Sequence, residues 1–438
     1  MRISIVGTGY VGLSTGVGFA KKGNDVTCVD IVKGKVGKIN SGESPIYEPF
    51  MEEYLREVVG NGKLKATMEL LPAVSDTDIT FISVPTPQSE DGSADLSYIE
   101  RAARDIGRAL KGKGGFHVVV VKSTVVPGTT EGTVIPALEE GSGKKAGTDF
   151  GVCMNPEFLR EGRALEDFLK PDRVVIGSLD ERGGDVIAGL YDNFDAPILR
   201  TDLKTAEMIK YAANSLLATK ISFANEVGNI CKRMGIDTYD VMKGVGMDSR
   251  ISPSFLDSGA GFGGSCFPKD VAAIVAKGKE LGCEPRILSN VIKVNREQRS
   301  IVAGLLEERA GGLEGKKVAV LGLAFKPESD DIREAPSIDI IRELKGKGAR
   351  ISAYDPQAME NMRELHPDIS YEDDAASCIN DADACLILTE WNDFKALSDT
   401  DFSRMKGNVI IEARKVLDPE KVKGFEGVCW PGNLGVEA

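Results

Sequence analysis

The stretch that decides the fold runs from Arg2 to Asp30 and reads RISIVGTGYVGLSTGVGFAKKGNDVTCVD. Its two ends are short apolar runs typical of buried parallel strands, and the glycine-rich turn between them opens a helical segment. Asp30 ends the second strand, 18 residues after Gly12. This strand–turn–helix–strand arrangement with G-x-G-x-x-G in its turn predicts a Rossmann unit that binds a dinucleotide.

Each glycine of this turn has a separate expected function. We expect Gly7 to make the tight turn, Gly9 to let the pyrophosphate approach the backbone, and Gly12 to let the helix pack closely. The pyrophosphate then lies on the helix N-terminus, beside Tyr10 and Val11, where free N–H groups point at it. A Rossmann fold that has lost its ligand is the alternative.

Acidic Asp30 is the residue expected to choose between the two nicotinamide dinucleotides. Its carboxylate can accept hydrogen bonds from the ribose hydroxyls, which favours NAD over NADP. Lys33 and Lys35 follow it and weaken this preference, because they can meet a 2′-phosphate. The predicted cofactor is therefore NAD.

Two further strand ends are expected at the same site, because ligands of open α/β sheets lie at the carboxyl ends of strands. SVPTP follows one apolar run and contributes Pro85 and Thr86. KST follows another and contributes Ser123 and Thr124. A plain turn without ligand contact is the alternative for both.

Composition excludes several classes of protein. The chain has 438 residues, of which 42% are hydrophobic and 28% charged, and no apolar run reaches the length of a membrane helix. A net charge of −13 argues against a nucleic-acid or membrane-surface binder. Met1 leads directly into a predicted strand, so we expect no signal peptide and a cytoplasmic location.

Cysteine and histidine usage limits the chemistry. Eight scattered cysteines without C-x-x-C pairs predict reduced thiols, with neither a disulfide framework nor a metal site. The chain has two histidines, His117 in an apolar run and His366 before a proline. A histidine-centred triad is therefore excluded, and proton transfer falls to lysine, carboxylates or water.

The pattern along the chain predicts an α/β protein with two Rossmann-like, doubly wound domains joined by a helical centre. Strands and helices alternate in residues 1–196, where RVVIGS is expected to be a further parallel strand. Residues 197–309 are helical and begin with one helix from Asp202 to about Met234, long enough to be a connector or dimer spine. Thr201 or Asp202 can cap its start, and Gly235 can end it. Residues 310–438 resume the α/β pattern, and VAVLGLA…ISAYDP echoes the first Rossmann unit.

GAGFGGSCFPKD, from Gly259 to Asp270, is the candidate reactive segment. Pro268 predicts a helix start, so Cys266 is expected just before a helix N-terminus, where the dipole stabilises a thiolate. Asp270, four residues on, is expected to handle a proton or a water. A buried, inert cysteine is the alternative.

Other polar residues accompany this segment. NPEFLREGRA follows a predicted strand and carries Glu157 and Glu161. Lys210 and Asn214 stand four apart on the long helix and share a face. Spacing alone favours a solvated surface lysine at position 210.

In order along the chain, GTGYVG, VPTP, KSTVVPGTT, NPEFLREG, AEMIKYAANS, GFGGSCFPKD and GLAFKPESDDIRE resemble the UDP-glucose/GDP-mannose dehydrogenase family. The resemblance spans nearly the whole chain and is strongest to the branch that acts on UDP-glucose. It implies oxidation of the sugar C6 alcohol to a carboxylate in two NAD-dependent steps. It also implies that the third domain binds the nucleotide sugar and that the protein forms a homodimer or larger homo-oligomer.

The resemblance also implies a role for each matching residue. Cys266 is the nucleophile that captures the aldehyde as a thiohemiacetal and becomes a thioester. Lys210 stabilises oxyanions, Glu157 is the acid/base for hydrolysis, and Thr124 holds a water. The companions of these groups are Asn214 and Asp270. The implied cofactor contacts further include Lys35, Glu161 and Arg333, and the implied substrate contacts are Glu157, Phe158, Leu159, Arg160, Lys210, Asn214, Arg250, Phe255, Gly259, Gly263, Lys326 and Arg414; no metal is implied.

Three alternatives remain open at this point. Tyr239 and Lys243 form the Y-x-x-x-K pair of short-chain dehydrogenases, which would make Cys266 inert in a two-electron enzyme. A regulator that binds nucleotide sugar and NAD without turnover is the second. The third keeps the chemistry and changes the substrate to GDP-mannose or a UDP-N-acetylhexosamine.

Overall fold

The computed structural model describes residues 1–89 and 91–433 and forms two compact units. The first comprises Met1–Ala213 and the second begins at Asn214. Both are α/β, as the sequence predicts. Among the described residues, none of the helices combines the length and the hydropathy that crossing a bilayer requires.

The first unit is built on an eight-stranded sheet with the order β3-β2-β1-β4-β5-β6-β7-β8. The strands are β1 (Arg2–Val6), β2 (Asp25–Val29), β3 (Leu64–Thr67), β4 (Ile79–Ile82), β5 (Val118–Val121), β6 (Gly151–Met154), β7 (Val174–Ser178) and β8 (Ile198–Thr201). The first six follow the Rossmann order 3-2-1-4-5-6. The apolar runs of the central strands β4, β5 and β6 are buried on both faces, which is typical of a parallel sheet covered by helices.

The helices of this unit lie between the strands. They are α1 (Tyr10–Lys21), α2 (Lys33–Asn40), α3 (Met51–Gly60), α4 (Leu70–Ser75), α5 (Ser97–Lys111), a π-helical turn (Thr130–Val134), α6 (Ile135–Ser142), α7 (Ala164–Leu169) and α8 (Glu181–Leu190). The long helix α9 (Leu203–Met234) begins in the first unit and ends in the second. Asp202 caps it by accepting a hydrogen bond from Thr205 N at 2.9 Å, and Gly235 follows it with a φ of +71°, as expected.

The prediction that RVVIGS is a parallel strand is wrong in its direction. β7 pairs antiparallel with β6 and parallel with β8. A parallel return requires a helix that crosses over the sheet. The connection from β6 to β7 carries only the short α7, whose Phe168 ring instead packs on Phe19 of α1, with centroids 5.0 Å apart. The chain therefore re-enters the sheet from the same end.

In the described residues of the second unit, three helices after α9 precede a second sheet, and five further helices lie between the strands of that sheet. The helices α10 (Thr238–Gly246), α11 (Phe267–Glu280) and α12 (Arg286–Ala310) precede the strands β9 (Lys317–Leu321), β10 (Arg350–Tyr354), β11 (Ser370–Tyr371), β12 (Ala384–Ile387), β13 (Val409–Glu412) and β14 (Phe425–Gly427). The remaining helices are α13 (Pro336–Gly346), α14 (Met359–Leu365), α15 (Ala375–Ile379), α16 (Asn392–Lys395) and α17 (Asp399–Phe402). The sheet order β11-β10-β9-β12-β13-β14 is again that of a Rossmann fold.

The internal echo noticed in the sequence is a structural repeat. Gly7 and Gly322 both follow the first strand of their sheet with φ values of +97° and +94°. Each donates its N–H to the last residue of the neighbouring strand, to Val29 O at 2.8 Å and to Tyr354 O at 2.9 Å. The first strand–turn unit of the two sheets is therefore built in the same way.

The aspartate after the second strand is also repeated, although its surroundings differ. Asp355 is fully buried and accepts hydrogen bonds from Leu323 N at 2.7 Å and from the Trp391 indole at 3.0 Å. Asp30 in the first unit is only partly buried. In the second sheet an indole N–H therefore satisfies the carboxylate of Asp355, whereas the equivalent carboxylate of Asp30 in the first sheet stays accessible.

Candidate functional site

The glycine turn after β1 has the shape that a pyrophosphate requires. A Cβ on Gly7 would lie 2.4 Å from Ser83 O, and one on Gly12 would lie 1.9 Å from Gly7 O, so both positions exclude any larger residue. Gly9 differs, because no atom lies within 4 Å of its Cβ position. The first and third glycines therefore serve close packing, and the second leaves open space in front of the α1 N-terminus.

Asp30 presents a fixed carboxylate beside this turn. It accepts hydrogen bonds from the N–H and the hydroxyl of Thr8 and from Val32 N at 2.9 Å. Burial raises the pKa of Asp30, but these hydrogen bonds and the charge of Lys35 outweigh it and leave the pKa below its usual value. An ionised acceptor next to open space fits the ribose of a dinucleotide.

The ends of β4 and β5 meet beside each other, as predicted. The Thr86 hydroxyl donates to Thr124 O at 2.8 Å, and the Ser123 hydroxyl donates to Val84 O at 2.7 Å. Pro85 is exposed between them. These cross-links fix the two loops at the carboxyl edge of the sheet, where the order of strands places the cofactor site.

Lys210 and Glu157 form a buried ion pair, so the expectation of a solvated surface lysine is wrong. Lys210 Nζ lies 2.8 Å from Glu157 Oε1, and the two side chains are only 4% and 5% exposed. The spacing argument missed this because the burying segment comes from the connection after β6. Leu159 N donates to Glu157 Oε2 at 2.7 Å.

The ionisation of Glu157 follows from this pairing. Burial raises the pKa of Glu157, while the charge and hydrogen bond of Lys210, the Leu159 N–H and the charge of Lys122 lower it, and the net pKa is below the usual value. Lys210 also lies 5.7 Å from the centre of the Phe158 ring. A cation and a carboxylate are therefore held together in a poorly solvated place, where each exerts a strong field.

The segment after Glu157 is anchored by Glu48, a residue that sequence reasoning missed. The Glu48 carboxylate is buried and accepts hydrogen bonds from Gly162 N at 2.8 Å and Ala164 N at 2.6 Å. This clamp fixes the backbone on either side of Arg163, and half-buried Glu161 precedes it. Nothing in SPIYEP distinguishes Glu48 from a surface carboxylate, because its partners lie more than 100 residues away.

We expect Glu48→Gln to lower kcat by about tenfold while the chain stays folded. The amide loses one of the two charge-assisted acceptors, worth about 1.5–3 kcal/mol each, and loosens the loop that carries Glu157. Steady-state kinetics and thermal unfolding measure the two effects. Glu43→Gln, an exposed neighbour, is the control. Equal kinetics for both variants would show that the clamp does not act on the site.

In the second unit, Cys266 occupies the N-cap position of α11, as predicted. The thiol is half-buried, and the Ser265 hydroxyl lies 3.6 Å from its sulfur. Pro268 stands in the first turn, where its missing N–H costs no hydrogen bond. The sulfur is therefore placed beside the positive end of a 14-residue helix.

Asp270 lies one turn further along α11 and is fully buried. Its carboxylate accepts a hydrogen bond from the Asn214 amide at 2.7 Å and pairs with Lys269 Nζ at 2.6 Å. The structure thus joins two residues that the sequence places 56 positions apart. Together with Cys266 they form a set of thiol, amide and carboxylate.

The glycines around Cys266 are required for packing as well as for any ligand. A Cβ on Gly259 would lie 2.2 Å from Ala413 O, and one on Gly263 would lie 2.5 Å from Glu334 O. Gly264 has a φ of +83° and no room beside the Phe325 ring. The loop therefore runs directly against the backbone of the segments that follow β9 and β13, which a larger residue would prevent.

The other residues assigned to the substrate lie at separate places in the second unit. Arg414 donates to Gly261 O at 3.1 Å and so reaches the glycine loop. Lys326 stands 5.6 Å from the centre of the Phe325 ring. Phe255 has a φ of +65° and packs on Phe267, with ring centroids 6.2 Å apart.

Three arginines are paired at the surface. Arg250 is 87% exposed and forms an ion pair with Asp248 at 2.6 Å. Arg333 pairs with Asp331 at 2.6 Å and is about half exposed. In the first unit, Arg160 pairs with Asp167 at 2.6 Å. Each guanidinium therefore has a carboxylate that a ligand phosphate must compete with.

The Y-x-x-x-K alternative loses support from the position of its tyrosine. The Tyr239 hydroxyl donates to Ser258 O at 2.9 Å, and its ring packs edge-on against Trp430. Burial raises the pKa of Tyr239. Lys243 is exposed. A tyrosine with a raised pKa and an occupied hydroxyl is a poor acid for hydride chemistry.

Comparison with known proteins matches three successive segments of the chain. Models of the UDP-glucose/GDP-mannose dehydrogenase family match three times: the NAD binding domain at residues 1–195, the central domain at 204–297 and the UDP binding domain at 319–419. The matched regions contain the glycine turn, the reactive cysteine segment and most of the second Rossmann sheet, respectively.

Individual relatives match over nearly their whole length. UDP-glucose 6-dehydrogenase AglM of Haloferax volcanii is 45% identical over 433 residues, covering 98% of this chain and 100% of the relative. GDP-mannose 6-dehydrogenase of Pseudomonas savastanoi is 39% identical over 454 residues, covering 98% and 100%. A solved UDP-glucose dehydrogenase from the hyperthermophilic archaeon Pyrobaculum islandicum has 46% identity and a TM-score of 0.93, with 98% of both chains covered.

Proposed function

Because the chain belongs to the UDP-glucose/GDP-mannose dehydrogenase family, we propose that it oxidises UDP-glucose to UDP-glucuronate, an NAD-dependent four-electron reaction. The observation that carries the proposal is the position of Cys266 at the N-terminus of α11, one turn from buried Asp270. A simple alcohol dehydrogenase has no use for a nucleophile in this position. A nucleophile is required when an aldehyde must be oxidised further.

The first unit holds the cofactor in this proposal. The open space at Gly9, the α1 N-terminus and the Asp30 carboxylate fit the pyrophosphate and ribose of NAD, and bound NAD supplies the hydride acceptor for both oxidations. Ser123, Thr124, Pro85 and Thr86 line the same sheet edge. We keep Lys35, Glu161 and Arg333 as proposed cofactor contacts.

Lys210 and Cys266 act on the sugar C6 atom. Oxidation of the alcohol leaves a trigonal aldehyde, and addition of the Cys266 sulfur makes that carbon tetrahedral again, so that it can release a second hydride. The ammonium of Lys210 stabilises the oxygen as negative charge develops there. The product of the second oxidation is a thioester on Cys266.

Hydrolysis of the thioester completes the reaction and requires a base. Glu157 takes a proton from the attacking water, while Asp270, oriented by Asn214, and Thr124 hold water at the carbon. The carbon–sulfur bond breaks, and the thiolate regains a proton from the carboxylic acid. The whole reaction consumes one water and reduces two NAD per sugar, with three protons released.

The remaining parts of the proposal concern the nucleotide sugar. We propose that residues 310–438 hold the nucleotide and residues 197–309 carry the cysteine, while residues 1–196 hold NAD. The proposed substrate contacts are Phe158, Leu159, Arg160, Arg250, Phe255, Gly259, Gly263, Lys326 and Arg414. A cytoplasmic location belongs to the same proposal and accords with eight free cysteines, all of which lie in the described residues.

The test is the yield of NADH per mole of sugar. With limiting UDP-glucose and excess NAD, we expect two NADH per sugar and UDP-glucuronate as the product. One NADH per sugar would support the two-electron alternative, and binding of both ligands without NADH would support a regulator. Higher kcat/KM with GDP-mannose or UDP-N-acetylmannosamine would keep the chemistry and change the substrate, which the GDP-mannose relative makes a necessary comparison.

We also propose that the protein is a homodimer that pairs through α9. Large apolar side chains are exposed along one side of this helix at a spacing of seven: Leu216 is 63% exposed, Phe223 is 51% and Ile230 is 56%. Met234 continues the stripe and is 67% exposed. A stripe at this spacing on a 32-residue helix is typical of helix–helix pairing.

We expect Phe223→Asp to convert the dimer to a monomer, because the charge lies at the middle of the stripe and loses its water on pairing. Light scattering after gel filtration measures the mass. Ile287→Asp is the matched control, since Ile287 is also exposed, at 72%, but lies on α12. A dimeric Phe223→Asp would place the interface elsewhere.

A further inference from the structure

Lys122, the first residue after β5, is a buried lysine to which the mechanism above gives no role. Lys122 is 4% exposed. Among the described residues its amine donates one hydrogen bond, to the Asn155 side-chain oxygen at 2.9 Å. The same oxygen accepts the Tyr191 hydroxyl at 2.6 Å, so Lys122 shares a neutral acceptor and has no carboxylate of its own.

The charges around Lys122 do not balance. Glu157 is the carboxylate that acts on it electrostatically, and Lys210 is a second cation that acts in the opposite direction. Glu157 is already engaged by Lys210 at 2.8 Å. The buried Glu157 carboxylate therefore contacts Lys210 and not Lys122, and holding both lysines protonated is costly because a buried cation needs its own counter-charge.

A cavity of about 190 Å³ leads from this cluster to the surface of the first unit. Lys122, Asn155 and Glu157 line its buried end. Its outer end is lined by the ion pairs Arg160–Asp167 and Arg163–Glu166. The other charged residues of the lining are Lys170, Asp172 and Arg173. A polar cavity of this size has room for several water molecules.

We infer that Lys122 is the proton acceptor behind Glu157: through a water in the cavity that both residues line, its neutral amine takes the proton that Glu157 removes from the attacking water and passes it on to solvent. The inference rests on the proposed function, which releases three protons per sugar from a buried site. Glu157 returns to the carboxylate form, and Lys122 becomes an ammonium that gives its proton to water. No bond other than O–H and N–H changes in this step.

The ionisation of Lys122 agrees with this role. Burial, above all, and the charge of Lys210 lower the pKa of Lys122, the charge of Glu157 raises it, and the net pKa is about 7. An amine with a pKa near the working pH is neutral often enough to accept a proton and acidic enough to release it. The low pKa of Glu157 makes such a second acceptor useful, because a weak base holds its proton poorly.

The test compares the pH dependence of kcat in wild type, Lys122→Met and Lys122→Arg. In wild type we expect kcat to rise with pH through about 7 as the amine becomes neutral. In both variants the rise of kcat with pH should disappear. Their kcat at pH 7 should be lower by about 100-fold, the lower end of what general base catalysis contributes. Arginine keeps the charge but cannot release its proton, so it separates proton transfer from a fixed charge.

Lys113→Met is the matched control. Lys113 precedes the same strand at its opposite end, is half-buried, and has a pKa that burial lowers to about 8. Its amine donates to the Val74 and Thr77 carbonyls, away from the cavity. Its replacement should leave the pH profile of kcat unchanged.

A second readout does not depend on turnover. Because the pKa of Lys122 is about 7 folded and near 10.5 unfolded, the unfolded chain binds more protons between these values. Stability of wild type relative to Lys122→Met should therefore rise with pH in this window, by about 1.5 °C in Tm per pH unit. A constant Tm difference from pH 7 to 10 would overturn the inference.

The kinetic outcomes separate this inference from the proposed function. Wild-type kcat in Lys122→Met, or full rescue by arginine, would overturn the inference while two NADH per sugar still supports the function. Absence of NADH from wild type with every nucleotide sugar would overturn both. If both Lys122 variants fail to fold, Asn155→Asp serves instead: its carboxylate should move the rise of kcat to higher pH by a unit or more, and an unmoved rise would contradict the assignment.

Discussion

We expect Cys266→Ala to lower production of UDP-glucuronate by about 10⁴-fold or more, while NAD affinity stays within a few-fold of wild type. Without the sulfur, the enzyme cannot form the tetrahedral thiohemiacetal or the thioester, and covalent catalysis by a lost nucleophile is not replaced by its neighbours. The glycine turn and Asp30 belong to the other unit and are untouched. Product analysis by chromatography and NAD titration by calorimetry measure the two quantities.

The first oxidation survives this substitution in part, because it needs no sulfur. With hydroxylamine present to trap the aldehyde, Cys266→Ala should release at most one NADH per sugar. Cys283→Ala is the matched control, since Cys283 is an exposed cysteine of the same unit. Two NADH per sugar and normal turnover in Cys266→Ala would remove the covalent mechanism.

Lys210→Ala is expected to lower kcat by about 10³-fold and to raise KM much less. The charge of Lys210 matters most as the oxyanion forms, and removal of one such group costs about 10²–10³ in other enzymes. Steady-state kinetics with UDP-glucose separates kcat from KM. A change confined to KM would place Lys210 outside the chemistry.

The same substitution also destabilises the first unit, because it leaves Glu157 buried without its closest cation. Breaking a buried ion pair costs about 3–5 kcal/mol. Lys204→Ala on the same helix is the control: Lys204 pairs with Glu131 at 2.5 Å but is 59% exposed, and such surface pairs contribute at most about 1 kcal/mol. Thermal unfolding of both variants compares a buried pair with an exposed one.

Lys210→Met keeps an unbranched side chain of similar length but removes the positive charge. It should lower kcat as strongly as Lys210→Ala but lose less stability, because the methionine fills the space. Nearly equal kcat values for the two variants would attribute the rate loss to charge. Much better turnover in Lys210→Met would attribute it to packing.

Motifs that act through neighbouring residues were predicted correctly from the sequence. The turn at Gly7, the cap at Asp202, the end of α9 at Gly235 and the helix start at Pro268 depend on local backbone geometry, which residue type determines. The repeat of the Rossmann unit at Gly322 belongs to the same class.

Direction and burial were less predictable. The direction of β7 depends on whether the preceding connection crosses the sheet, and a short helix can pack on either side. Short edge strands such as β3 and β11 lack the apolar run of central strands, because one edge of each is unpaired. The glycines near Cys266 lie against neighbouring backbone, a contact that the sequence does not reveal because the partner segments follow β9 and β13.

The sequence by itself determined the two Rossmann sheets, the long helix and the helix N-terminus beside Cys266, because periodicity, glycine turns and caps are local. Only the tertiary structure decided that Lys210 is buried against Glu157, that Glu48 clamps the loop behind it, and that Lys122 is buried with the neutral Asn155 side chain as its partner. These pairings join residues far apart in the chain. The partner of a charged side chain is therefore known only once the fold has brought the two groups together and excluded the water between them.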